Sequence, residues 1–139
     1  SRGKWYFTSW KGDESKSGGI SSNIGVHFFD MLQWIFGSIK DFSVHIKTPD
    51  TNAGTLKFKQ ANVNWYLSIN SEKLPSSAKE QGLPTFRSLK IAGEEIEFSK
   101  GFTDLHTVSY QKILEGKGYG LIDAKKSIEI VSEIRNKEL

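Results

Sequence analysis

Asn23, His27 and Asp30 are the residues of this 139-residue chain whose types and spacing best suit chemistry. They stand four and three positions apart in a segment that runs out of Gly18-Gly19 and is otherwise filled by Ile24, Phe28, Met31, Leu32, Ile35 and Phe36. On a helix of 3.6 residues per turn those spacings set them about 40° and 60° apart, so they form one polar stripe, which Trp34 extends. The apolar remainder predicts a buried helix. Burying an imidazole, an amide and a carboxylate requires internal hydrogen bonds or a function. Histidine titrates near neutral pH and can take the proton of an alcohol, and an amide one turn before it can orient that hydroxyl. Glycines 18 and 19 let the backbone come close to a bound group. Together these features suit a small polar substrate, with an internally bonded core histidine as the alternative.

Other candidate chemistry is weaker. His27, His45 and His106 lie far apart with no H-x-x-x-H or H-E-x-x-H pair, so no metal site is expected. Gly116-Lys-Gly-Tyr-Gly120 looks like a dinucleotide loop but follows a helical segment and lacks the G-x-G-x-x-G spacing, so it reads as a helix stop. With no cofactor-binding loop of its own, a redox role requires another domain to supply a nicotinamide.

The elements that must position these residues follow from periodicity. Residues 4–10 are aromatic and strand-like, and residues 11–19 form a polar, glycine-punctuated loop. The helix carrying His27 starts at Ser21 or Ser22 as cap and ends at Gly37 in a left-handed turn. Residues 39–48, 54–60 and 61–70 read as neighbouring strands. In the third, Val63, Trp65, Leu67 and Ile69 alternate with Asn62, Asn64, Tyr66 and Ser68, giving one packed and one polar face. That polar face is open either to solvent or to a second subunit.

Residues 72–85 form a loop with two prolines, and residues 88–92 and 95–98 bracket Gly93-Glu94 as a hairpin. Asp104 caps a helix that reaches Glu115, with Gly116 or Gly118 as its stop. A last helix starts at Asp123, where Ala124, Ile128, Val131 and Ile134 make an apolar stripe. The order predicts an α+β fold in a single domain over residues 1–139, with an open, mostly antiparallel sheet and helices on one face.

Composition narrows the function classes. A net charge of +3 arises from 19 basic and 16 acidic residues that are interspersed, which gives no support for nucleic-acid binding. There is no cysteine, hence no thiolate chemistry and no sign of an oxidising compartment, and no apolar run approaches the length of a membrane span. A cytoplasmic location is expected. The start, Ser-Arg-Gly-Lys-Trp, lacks a methionine and suggests a piece of a longer protein.

Residues 10–37, with Ser17-Gly-Gly-Ile and Asn23-Ile-Gly-Val-His27-Phe-Phe-Asp30, and the later run from Gly101-Phe-Thr-Asp to Gly120, resemble the carboxy-terminal domain of the Gfo/Idh/MocA oxidoreductase family. The resemblance spans essentially the whole chain. It implies a glyceraldehyde-3-phosphate dehydrogenase-like carboxy-terminal fold whose Rossmann domain, with its Glu-Lys-Pro motif, is absent from this chain. Within the family the likeness is greatest to enzymes that oxidise the C3 hydroxyl of a UDP-N-acetylhexosaminuronic acid for surface polysaccharide. A free polyol or sugar as substrate, and a non-catalytic self-association domain, are the alternatives.

By that resemblance His27 corresponds to the catalytic histidine, and Asn23 stands where many relatives have aspartate, which removes a carboxylate that would raise the imidazole pKa. Lys11 and Lys16 are expected to meet the uronate carboxylate or the diphosphate, Gly18 and Gly19 to lie against the substrate, and Trp10 to wall the sugar. Asp30 is expected to anchor the helix. NAD is the implied cofactor, bound outside this chain. The partners implied are a UDP-sugar and further copies of the chain, packed through the sheet as a dimer or tetramer.

Overall fold

The computed structural model describes residues 5–101 and 104–138, which fall into two compact units: residues 5–70 with 121–138, and residues 71–120. In the first unit the β-branched and aromatic segments form an antiparallel sheet of β1 (Asp41–Lys47), β2 (Thr51–Lys57) and β3 (Asn62–Ser68), in that order. The register pairs Asp41 with Lys57 and Lys57 with Asn62, and Thr51 with Ser68. The alternation in β3 is as expected: Trp65 and Leu67, and Ile69 beyond them, are buried, while Asn62, Asn64 and Tyr66 point to the other face and are exposed. β2 starts at Thr51, three residues before the expected 54. Thr48 closes the turn by accepting from the Thr51 amide at 3.0 Å, and Asn52 is buried because its carboxamide is hydrogen-bonded to Ser21 at 2.9 Å. A stretch that looks like loop by its Asn and Gly content is thus paired backbone with satisfied side chains.

The first expected strand is helical instead. α1 (Trp5–Thr8) is one turn, followed by a tight turn at Trp10–Gly12 and by α2 (Glu14–Ser17). Thr8 and Ser9 donate their hydroxyls to the carbonyls of Trp5 and Tyr6, at 3.1 and 2.9 Å. These local side-chain bonds satisfy the backbone without a partner strand and override the aromatic β-propensity. Lys4, the start of that expected strand, lies outside the described residues.

The helix carrying His27 begins with a π turn, Ser21–Gly25, and continues as α3 (Val26–Phe36). Neither Ser21 nor Ser22 caps it: Ser21 is buried against Asn52, and Ser22 donates back to the Gly18 carbonyl at 2.9 Å. Gly25 sits where the helix meets β3; a Cβ there would lie 2.8 Å from the Phe29 ring and 2.9 Å from Leu67 Cδ1. Phe29 is fully buried and meets Trp65 edge-on at 5.3 Å, and Phe36 meets Phe58 at 5.5 Å. Burial of a ring such as Phe29 contributes about 2–3 kcal/mol. Gly37 ends α3 at a φ of 82° and ψ of −162°, an extended glycine conformation in place of the expected left-handed turn.

α6 (Leu121–Asn136) begins two residues before the expected Asp123 and packs on α3 through Ser127, Ile130, Val131 and Ile134. Ala124 and Ile128 of the expected stripe are exposed. Val131 and Ile134 of that stripe are buried as expected, and Ile130 and Ser127, whose hydroxyl donates to Asp30, lie inside in place of the other two. Lys47 of β1 donates to the carbonyls of Arg135 and Lys137, a cation on the carbonyl end of α6.

Residues 71–120 hold a 3₁₀ turn at Ser71–Lys73, α4 (Ser76–Glu80), the hairpin β4 (Ser88–Ile91) and β5 (Glu94–Glu97), and α5 (Leu105–Leu114). The expected proline loop therefore contains helical turns. The hairpin turns at Ala92-Gly93, one residue earlier than expected, with φ of 51° and 90°, as a two-residue loop needs to match strand twist. Asp104 precedes α5 in a left-handed conformation with no side-chain cap, a correction to its expected role. Gly116 stops α5 at a φ of 72°, its amide bonded to the Ile113 carbonyl and that of Lys117 to Lys112.

Candidate functional site

His27 lies in the first turn of α3, directly after the π turn, with its side chain exposed. A buried position was expected. The buried face of α3 is the one that carries Phe29 and Leu32, whereas His27, Asp30 and the 87% exposed Trp34 lie off it. Among the described residues His27 makes no hydrogen bond or ion pair, so the alternative of an internally bonded core histidine does not fit. Its imidazole is available to donate to or accept from a ligand.

Asn23 differs. It sits inside the π turn, and its Nδ2 donates to the Gly19 carbonyl at 3.0 Å, with longer contacts to Tyr6 Oη at 3.3 Å and the Lys11 carbonyl at 3.4 Å. The amide nitrogen is thus committed to holding α1 and the following loop against the helix start. Among the described residues its Oδ1 accepts no hydrogen bond, which leaves an acceptor for a ligand hydroxyl. π turns widen a helix by one residue and often accompany functional positions. Tyr6, only 2% exposed, was missed in the sequence because residues 4–10 read as a strand; it supports Asn23 from below.

Asp30 accepts a short hydrogen bond from the Ser127 hydroxyl of α6. The carboxylate therefore ties two helices together, as its expected anchoring role requires. Lys16 is paired with Asp13 at 3.2 Å, and both are exposed, so its ammonium already has a partner within its own loop. The Asp13 carboxyl lies below the usual aspartate range, first because the Ser15 hydroxyl donates to it and then because Lys16 does. Gly18 and Gly19 both take positive φ, 76° and 75°, and their amides are bonded to the Glu14 carbonyl and the Ser17 hydroxyl. Their geometry is explained by the reversal from α2 into the π turn; neither N–H is left for a substrate.

Lys11 presents its ammonium over the rings of Trp5 and Trp10, and its carbonyl accepts from Ser17 Oγ at 2.9 Å. Trp10 is exposed. An open cleft of about 280 Å³ lies elsewhere on this unit, lined by Gln33, Lys40, Asp41, Lys126 and Glu129, and includes none of the expected site residues. Among the described residues no three His, Asp or Glu side chains converge as a metal-ligand set. Among the described residues no helix is long and apolar enough to cross a membrane. All strand pairs are antiparallel, so the described residues contain no parallel βαβ unit of the kind that binds a dinucleotide.

Solved structures resemble the whole chain, among them two of the WlbA (WbpB) dehydrogenase from Thermus thermophilus, one in complex with NAD and α-ketoglutarate and one in complex with NAD and UDP-GlcNAcA. The first is 50% identical with a TM-score of 0.94, and the second 48% identical with a TM-score of 0.93. Each match covers 100% of this chain and 45% of the other, so the chain spans less than half the length of that dehydrogenase. Residues 1–84 match the family model described as the oxidoreductase family, C-terminal alpha/beta domain. The α+β fold with its antiparallel sheet accords with that match, and the chain belongs to the Gfo/Idh/MocA oxidoreductase family, as its carboxy-terminal domain.

Proposed function

We propose that this chain is the substrate-binding half of an NAD-dependent dehydrogenase that oxidises the C3 hydroxyl of a UDP-N-acetylhexosaminuronic acid used in surface-polysaccharide synthesis. The observation that carries the proposal is the likeness along the entire chain, at 48% identity, to a dehydrogenase crystallised with NAD and UDP-GlcNAcA. The exposed, unbonded His27 accords with it. NAD, held by a domain outside this chain, supplies the hydride acceptor. Within the chain, His27 takes the proton of the reacting hydroxyl, and Asn23 Oδ1 accepts from a sugar hydroxyl while its nitrogen keeps the helix start in place. Gly18 and Gly19 shape the turn that carries this pair. The isolated chain is inactive.

The outer face of the sheet is proposed to join copies of the chain into a dimer or tetramer. It carries a polar row: His45 Nε2 is bonded to Ser43 Oγ at 3.2 Å and to Thr55 Oγ1 at 3.0 Å, and Thr55 donates to Asn64 Oδ1, beside the 52% exposed Tyr66. The proposed location is the cytoplasm, where nucleotide sugars and NAD are available.

A substrate survey tests the proposal. The chain joined to its cofactor domain is incubated with NAD and, in turn, UDP-N-acetylglucosaminuronate, free N-acetylglucosaminuronate and myo-inositol, and NADH formation is followed. Turnover confined to the UDP-uronate is expected; turnover of the polyol in its place contradicts the nucleotide-sugar assignment.

A further inference from the structure

Lys11 is held in an unusual way. Its ammonium lies 5.9 Å from the centre of the Trp5 ring and 5.8 Å from that of Trp10, and the two indoles are 51% and 59% exposed. Among the described residues no carboxylate pairs with it. The nearest acid in sequence, Asp13, is engaged by Ser15 and Lys16 instead. The arrangement is built into the backbone. A Cβ on Gly12 would lie 2.5 Å from the Tyr6 carbonyl oxygen and 2.7 Å from Phe7 Cα, so the Trp10–Gly12 turn lies directly on α1 and sets Trp5 and Trp10 about Lys11. The Lys11 carbonyl is tied to Ser17 and Asn23, which joins this cluster to the π turn just before His27.

A cation over aromatic faces keeps its charge and its remaining N–H donors, and with no carboxylate beside it, it is available to a ligand anion. Exposed indoles present flat π faces on which a nucleobase stacks. An ammonium aimed at a phosphate beside a stacking platform is the chemistry that recognises a nucleoside diphosphate. We infer that Trp5, Lys11 and Trp10 form the subsite for the nucleoside-diphosphate part of the substrate, with the Lys11 ammonium on the diphosphate and an indole face on the base. This rests on the nucleotide-sugar assignment above and adds Trp5 and a division of labour to it.

The test uses the chain joined to its cofactor domain. UDP and uridine are titrated by calorimetry and by tryptophan fluorescence in the wild type and in Lys11→Met, Trp5→Leu and Trp10→Leu, and KM and kcat are measured with the UDP-uronate. Lys11→Met is expected to weaken UDP about tenfold and leave uridine unchanged, since it removes only the charge. Loss of the stacking indole is expected to weaken UDP and uridine alike, about tenfold. Each effect should raise KM more than it lowers kcat. Trp5→Tyr and Trp10→Tyr, which keep a π face, guard against misfolding and should recover part of the affinity. UDP bound with wild-type affinity by all three variants, in a protein that turns over the UDP-uronate, overturns the subsite alone. A wild type that neither binds UDP nor turns over the UDP-uronate overturns the nucleotide-sugar assignment, and the subsite with it.

Discussion

Residues 5–70 with 121–138 bury Tyr6, Ile20, Phe29, Leu32, Leu56, Trp65, Ile69 and Ile134, whereas in residues 71–120 only Ala78 is buried among the described residues. In that second unit Leu105, Val108, Ile113 and the 88% exposed Leu114 leave α5 without a covered face. The first unit is held by a core that ties the start of the His27 helix, the sheet and α6 together. The second is held by local devices: the Ala92-Gly93 turn, the Gly116 stop and the hydrogen bond that the Arg87 amide donates to the Ser99 hydroxyl. His27, Asn23 and Lys11, to which the proposals above give roles, all sit on the first unit, the over-determined one.

The largest expected break in this comparison is Phe29→Ala, which removes a fully buried ring and should cost about 3–5 kcal/mol in denaturant unfolding. Leu114→Ala, the same kind of truncation on α5, should stay within about 0.5 kcal/mol; equal losses would show that α5 has a core after all. Next comes Gly25→Ala, whose methyl would press on Phe29 and Leu67 and should cost about 1–3 kcal/mol. Ser127→Ala leaves the Asp30 carboxylate without its donor and should cost about 1 kcal/mol, read as a shift in unfolding midpoint.

The smallest effect is a pH dependence. Asp13 has its pKa lowered in the folded chain, mainly by the Ser15 hydroxyl, so its contribution is present above the unfolded pKa and is lost as pH falls below about 4. Ser15→Ala should raise the Asp13 pKa in an NMR titration and flatten that acid limb; an unmoved pKa would contradict the assigned cause.

Legibility in the sequence followed the same division. The alternation in β3 was readable because one face packs and the other does not, and it holds residue by residue at Trp65 and Leu67. The positions of Asn23, His27 and Asp30 were readable from spacing, but their surroundings were not. The apolar residues of α3 exceed one stripe, and nothing in their order says which face is covered, so His27 was expected inside and is exposed. On α6 the stripe was readable at Val131 and Ile134 but not at its start, where Ala124 and Ile128 are exposed and Ser127 lies inside with its hydroxyl on Asp30, nearly a hundred residues away. α1 was misread because two hydroxyl-to-carbonyl bonds outweigh aromatic strand preference, and with it Tyr6 and Trp5 were lost from the candidate site.

The most direct test of the account is single-turnover oxidation of UDP-N-acetylglucosaminuronate with NAD by the chain joined to its cofactor domain, comparing wild type with His27→Ala and checking fold by melting temperature. The side chain is exposed and unbonded in the described structure, so its removal should leave the melting temperature in place and slow the chemical step about 10²–10⁴-fold. A His27→Ala protein that oxidises the sugar at close to the wild-type rate would contradict the role given to His27.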